Sequence, residues 1–321
     1  MTQQMTLDQD IKLIVLDVDH TLLNNKSELS ERNKQAIAKA KEKGVKVMLA
    51  TGKAYGSCKH IISDLKLDTP GIFTQGLTIH ESSGALRHEQ TLDDEVARRV
   101  ITFAEDRGYA VVGYAQGRIL ARSSNPYIEE LHTRWKEVKP EYIGPLQNSL
   151  GSIRFNKLVL VSAGDTKKIK ALRWQLSTQL NGSARLISGG VPHMLEVMPP
   201  NASKGNALRA LLKELKVDPK NVLAIGDAEN DVEMIQLAGV GVAVANAEKT
   251  LKDAADDTTA SNEMDGVALA IEKYVIGEQK AAEEASTTTE TTTGESPLEA
   301  NAATAPKPED ADEAKVESTA D

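Results

Sequence analysis

From Ile11 to Leu16 the chain is apolar except at Lys12, the pattern of a strand buried on both faces of a parallel sheet. Ser30 then opens a stretch to Lys43 with Ala36, Ile37 and Ala40 on one face. This predicts a helix with Ser30 as N-cap and Gly44 as its stop. A strand at Val45–Ala50, a helix near Tyr55–Leu65 and, after Pro70, a strand at Gly71–Thr74 continue the alternation that marks a parallel α/β sheet. The rhythm returns late in the chain, with helices at Lys204–Leu215, Glu229–Leu237 and Asp265–Val275. Between them fall strands at Val222–Ile225 and Val240–Val244.

Between these halves the pattern changes. A helix at Asp93–Arg107 precedes a hairpin, Tyr109–Tyr114 and Arg118–Ala121, turning at Gln116-Gly117. Asn125–Trp135 reads as helix and Glu137–Gly151 as loop. Lys157–Val161 is a strand, Thr166–Leu180 a helix, and Arg185–Ile187 and Met194–Met198 are two further strands. The predicted fold class is α/β, with a Rossmann-like doubly wound parallel sheet core at residues 8–84 plus 197–277. An inserted α+β cap domain occupies 85–196.

Charge adds a third region. From Glu278 to Asp321 there are twelve acidic and three basic residues, so the whole net charge of -9 lies there and residues 1–277 are neutral. This tail holds only Leu298 and Val316 as large aliphatics and no aromatic residue. It cannot bury enough apolar surface to offset ordering, which predicts a disordered acidic tail. Composition favours a solubilising appendage over an interaction arm, and no protein partner can be named for it. A neutral folded part without a basic stripe argues against nucleic acid. No apolar run is long enough to span a membrane, and the first ten residues hold neither a basic cluster nor an apolar block. The lone cysteine, Cys58, excludes an internal disulfide. The expected location is cytoplasmic; an organellar stroma fits only if a precursor was trimmed.

Candidate chemistry collects at strand ends. The first strand ends in Asp17-Val18-Asp19-His20-Thr21 and the second in Thr51-Gly52-Lys53. Lys204-Gly205 follows Ser203 at a helix start, and the strand at Val222 runs into Gly226-Asp227-Ala228-Glu229-Asn230-Asp231. Open α/β sheets bind ligands at the carboxyl ends of their strands. Two aspartates two apart on an extended segment are expected to share a face. These residue types suit phosphoryl transfer, in which a carboxylate attacks phosphate only when the repulsion between anions is relieved. Mg²⁺ does this, taking oxygens from Asp17, Asp227 and the Asp19 backbone carbonyl. Lys204 at a helix N-terminus neutralises further charge, and the Thr51 hydroxyl holds phosphate oxygen. Asp19 is left to protonate the leaving alcohol and then activate water.

The ordered set DVDHT, LATGK, SKG and GDAEND resembles the haloacid dehalogenase-like phosphatase superfamily over about residues 10–276. The long insert before the lysine motif is similar to the α/β cap of its Cof-type group. The resemblance implies Asp17 as nucleophile, forming an aspartyl-phosphate, and Asp19 as general acid and base. It implies phosphate contacts from the Val18 backbone, Thr51, Gly52, Lys204 and Asn230. It also implies a Mg²⁺ site drawing on Asp17, Asp19, Asp227 and Asp231, with Asp231 supporting the metal shell. His20 stands where the family commonly has glycine, Lys53 where it has arginine, and Gln75-Gly76 where Asn-Gly is usual.

Other chemistry is weaker. The six histidines show no two-His helical spacing for zinc. Cys58 reads as packing, Trp135 and Trp174 as cap packing with a pocket role open to either, and Glu196 as cleft-facing or structural. The Ser188–His193 loop and the Gln116-Gly117 turn are candidates for reading the substrate. The expected activity is a Mg²⁺-dependent phosphatase of a small phosphorylated metabolite: a sugar phosphate, nucleotide or flavin-precursor phosphate. A phosphosugar mutase using the same intermediate, or an idle binding protein using its acidic tail, remains open.

Overall fold

The computed structural model describes residues 10–277 apart from 189, 190 and 192. The expected disordered tail, residues 278–321, therefore lies outside the described residues, as do Gly189, Gly190 and Pro192 of the candidate loop. In chain order come β1 (Leu13–Leu16), α1 (Glu31–Glu42), β2 (Lys46–Leu49), α2 (Tyr55–Asp64), β3 (Gly71–Phe73), β4 (Thr78–His80) and β5 (Leu86–Glu89). Next are α3 (Asp94–Glu105), β6 (Ala110–Ala115), β7 (Arg118–Ala121), α4 (Pro126–Thr133), β8 (Glu141–Tyr142), β9 (Lys157–Val161), α5 (Thr166–Leu180), β10 (Arg185–Ile187) and β11 (Met194–Met198). The last are α6 (Lys204–Leu215), β12 (Val222–Gly226), α7 (Val232–Leu237), β13 (Val240–Ala243), α8 (Lys249–Ala254), β14 (Asp257–Thr258) and α9 (Gly266–Ile271).

A five-stranded parallel sheet in the order β14-β13-β12-β1-β2 forms the core. Every residue of β1 and β12 is buried, as apolar runs without alternation require. The apolar faces of α1, α6, α7 and α9 pack against it through Ile37, Leu208, Leu211, Met234, Val267 and Ile271. Ser30 caps α1 by accepting from Asn33 N at 3.1 Å, and Ser203 caps α6 by accepting from Asn206 N at 3.0 Å.

A second sheet has six strands in the order β10-β11-β9-β6-β7-β8, antiparallel except where β7 meets β8. One face carries Leu158, Leu160, Leu195 and Val197 onto α3 and α5. The residues between them, Lys157, Val159, Met194 and Glu196, line a cavity on the other face. This period of two is what an antiparallel sheet covered on one side demands.

Two expectations change. The segment at Gly71 is a strand, but it pairs antiparallel with β4 in a small sheet ordered β3-β4-β5. A lone parallel bridge, Ala50 to Ile72, links it to the end of β2. A short apolar run cannot encode its partner, and the following strands Thr78–His80 and Leu86–Glu89 capture it. The segment 137–151, expected as loop, supplies the short edge strand β8 beside β7, a two-residue strand too short to leave a period.

Candidate active site

β1 lies between β12 and β2, with Leu16 opposite Ile225 on one side and Leu49 on the other. Parallel register thus brings the residues just beyond all three strands to one edge. Asp17 N donates to Ile225 O at 3.0 Å, and Ala50 N to Leu16 O at 2.8 Å. α6 directs its first residue at the same place. Lys204 Nζ, which is 1% exposed, donates to Asp17 Oδ1 at 2.5 Å and to Asp231 Oδ1 at 2.7 Å. Asp231 Oδ2 accepts from the N–H groups of Asp227 and Ala228 at 3.1 and 3.2 Å. Asp227 Oδ1 accepts from Thr21 Oγ1 at 3.2 Å.

Two buried carboxylates, Asp17 and Asp231, therefore share one ammonium, with the half-buried Asp227 beside them. Burial raises Asp227 to about 9, with the charges of Asp17 and Asp231 adding to it. Burial also raises Asp231, to about 6, against the pull of Lys204. Burial alone would lower Lys204, yet Asp17 and Asp231 outweigh it and hold the ammonium above its ordinary range. Oxygens of Asp17, Asp227 and Asp231 lie within 4.8 Å of one another. This surplus of hard oxygen ligands and negative charge fits a divalent oxygen-seeking cation. Both Asp231 oxygens are already engaged, so that residue's visible role is to fix Lys204 and the Asp227 backbone.

Asp19 is not in this cluster. The backbone turns after Asp17, with His20 in the left-handed region at φ 59, and the Asp19 carboxylate meets Lys53 Nζ at 3.2 Å. The two aspartates thus pair with different cations, while both open on the one cavity. The φ at His20 accounts for the glycine common at that position. His20 is held there by Asn246 Nδ2, which donates to its carbonyl at 2.8 Å, and by Asn25 and the Trp135 ring.

Thr51 is buried and its Oγ1 accepts from Lys53 N at 3.2 Å, leaving the hydroxyl proton available. Gly52 lies so close to Gln75 that a Cβ would approach Gln75 Nε2 to 2.6 Å. The Val18 side chain is fully buried in the core, so only its backbone can contribute. Asn230 Nδ2 donates to Gln75 Oε1 at 2.9 Å, while Oδ1 has no partner among the described residues. The Nδ2 group carries a second hydrogen with which to meet a phosphate oxygen.

A cavity of about 170 Å³ opens over Asp17, Asp19, Thr51, Gly52, Asp227 and Asn230. Its far side is built by the antiparallel sheet and the segment 131–137. Lys157, Glu137 and Tyr114 are lining residues that sequence reasoning missed, and Glu196 and Trp135 also line the cavity. The missed signal was Lys157 opening an otherwise apolar strand. Trp174, read as packing, is 72% exposed on α5, and the Gln116-Gly117 turn is exposed and outside the lining. Ser188 and Val191 of the candidate loop do line it. Cys58 is fully buried, and burial pushes its thiol well up, away from reactivity. No helix among the described residues is long and apolar enough to cross a membrane.

The family profile of haloacid dehalogenase-like hydrolases matches residues 14–271. The chain is 33% identical over 272 residues to the chloroplastic endoribonuclease YBEY of Arabidopsis thaliana, covering 82% of this chain but 46% of that protein. It therefore spans about half of that relative. It is 28% identical to a Bacillus subtilis 5-amino-6-(5-phospho-D-ribitylamino)uracil phosphatase, YwtE, over 84% of this chain and 99% of the other. A crystal structure of a haloacid dehalogenase-like hydrolase from Bacteroides thetaiotaomicron superposes with a TM-score of 0.74 at 29% identity, covering 82% of this chain and 99% of that one. The chain belongs to the haloacid dehalogenase-like hydrolase family.

Proposed function

We propose that this hydrolase is a Mg²⁺-dependent phosphatase of small phosphorylated metabolites, acting through an aspartyl-phosphate on Asp17. The observation that carries the reading is the buried Asp17–Lys204–Asp231 bridge beside Asp227 at the floor of a covered cavity. A Mg²⁺ ion held by the Asp17 and Asp227 carboxylates and the Asp19 carbonyl would supply the charge neutralisation that lets a carboxylate meet a phosphate.

Lys204 fixes Asp17 by one oxygen, and the other attacks phosphorus in line as the bond to the leaving oxygen breaks. Asp19, steadied by Lys53, gives its proton to that oxygen. Asp19 then takes a proton from water, whose oxygen attacks the phosphorus and returns Asp17 as carboxylate. Thr51 and the Gly52 backbone hold phosphate oxygens, and Asp231 keeps Lys204 charged. The antiparallel sheet over the site limits the water that reaches it.

The test is phosphate release from sugar phosphates, nucleotides and ribityl-pyrimidine phosphates, with and without Mg²⁺, beside Asp17→Asn. Metal-dependent turnover lost by at least ~10³-fold in the variant is the expected result. Turnover surviving in Asp17→Asn would sink the proposed nucleophile.

A further inference from the structure

Lys157 and Glu196 are charged residues on cap strands that line the same cavity as Asp17. Lys157 is 1% exposed, and its Nζ donates to Glu196 Oε1 at 3.0 Å and to the Gly52 carbonyl at 3.3 Å. It also sits 4.4 Å from the centroid of the Tyr114 ring, its direct neighbour across β6. The pair is thus fastened to the loop that holds Thr51, at the substrate's end of the site. Two polar atoms on this side have no partner among the described residues: Glu196 Oε2, an acceptor, and Trp135 Nε1–H, a donor. Leaving a buried polar atom unpaired costs about 1–3 kcal/mol, a cost relieved when a ligand supplies the partner.

The remaining walls narrow the ligand's chemistry. Leu131, Val159, Ile187 and Met194 are apolar. A hexose would set hydroxyls against these walls, where a planar heterocycle would set its faces. The cations among the described lining residues, Lys53 and Lys157, are engaged by Asp19 and the Trp135 carbonyl and by Glu196. A second phosphate at the leaving-group end would therefore find no free positive partner and would meet Glu196.

We propose that Glu196, held by Lys157, and Trp135 select a leaving group with an uncharged heterocyclic body, offering an N–H or O–H to Glu196 Oε2 and an acceptor to Trp135 Nε1. This rests on the phosphatase reading and names its substrate class. Heterocyclic monophosphates are favoured over hexose monophosphates, and sugar bisphosphates, which a mutase requires, are disfavoured.

The experiment measures kcat and KM of the full chain with Mg²⁺ on a ribityl-pyrimidine phosphate, glucose 6-phosphate and glucose 1,6-bisphosphate. Phenyl phosphate, whose ring carries neither a donor nor an acceptor, is the fourth substrate. The wild type is expected to favour the ribityl-pyrimidine phosphate at least tenfold in kcat/KM over both sugars. In Glu196→Gln, where the amide nitrogen replaces the free acceptor, the ratio of kcat/KM for the pyrimidine to phenyl phosphate should fall at least tenfold, mainly through KM. Trp135→Phe, which removes the donor and keeps a ring, should lower the same ratio and serves if the first variant does not fold. Ratios within twofold of wild type in a folded variant, or a sugar turned over as well as the pyrimidine, would overturn the assignment. Release of phosphate from none of the four by the wild type would instead overturn the phosphatase reading and the assignment with it.

Discussion

One missing atom at Gly226 lets the carboxylate cluster close. A Cβ there would lie 2.7 Å from the Asp231 Cγ and Oδ2 atoms, so no larger residue fits without moving that side chain. Asp231 is fully buried and holds both Lys204 and the Asp227 backbone, so moving it disturbs the whole site. Gly226→Ala is expected to lose about 1–3 kcal/mol of stability from overpacking. It should also lower kcat by more than tenfold; urea unfolding beside phosphate release measures both. A variant with wild-type midpoint and turnover would show that Asp231 has room to yield. The identities of these residues were legible as strand-end motifs, whereas the direction of Asp19 was not. Asp19 is turned to Lys53, and the next residue, His20, adopts a left-handed backbone that costs roughly 1–2 kcal/mol for an L-residue. Contacts with Asn246, Asn25 and Trp135, distant in sequence or in a loop, hold His20 there.

Between elements, the join of the antiparallel sheet to the core turns on Glu137. Its buried carboxylate accepts from Ala54 N and Tyr114 Oη, both at 3.2 Å, and from Ser57 Oγ, while Val138 N donates back to Ser57 Oγ at 2.9 Å. Burial raises the pKa of Glu137, with Lys53 and the Ser57 hydroxyl opposing. Because the folded value is above the unfolded one, folding favours the protonated acid. That contribution is complete below the ordinary glutamate range and is lost as pH rises through the raised value. Glu137→Gln keeps an acceptor for Ala54 and Ser57 and cannot ionise. Its melting temperature should therefore gain on that of the wild type as pH rises from 4 upward, by about 2–4 °C per kcal/mol at this size. A constant difference across that range would mean the carboxyl does not titrate within it. Sequence periodicity found the strands on either side of this join, including Lys157–Val161 and Met194–Met198 with their observed limits. Residues 137–151 carry no period, so the buried glutamate in them had no signal. β3 was found as a strand and placed in the wrong sheet for a related reason, since pairing is decided by segments elsewhere in the chain.

Across the whole molecule, chemistry and charge occupy different parts of the chain. The residues lining the cavity run from Asp17 to Glu248, and the parallel sheet is complete by Thr258. The net charge of -9 belongs to residues 278–321, and the rest is balanced. This separation was readable from composition alone, because charge counting needs no knowledge of contacts. A chain ending at residue 277 is therefore expected to keep kcat and KM within about twofold of the full chain, since every described lining residue is retained. It should also be less soluble near pH 7, because a protein with net charge near zero loses the repulsion that keeps copies apart. Turnover of both chains and the protein remaining in solution after concentration at pH 7 measure the two effects separately. If the shortened chain stays folded by its melting curve but loses turnover, residues beyond 277 take part in the reaction, and the site described here is incomplete. If turnover is kept and solubility falls, the acidic segment acts through its charge, and an idle binding protein working by that segment no longer accounts for the chain.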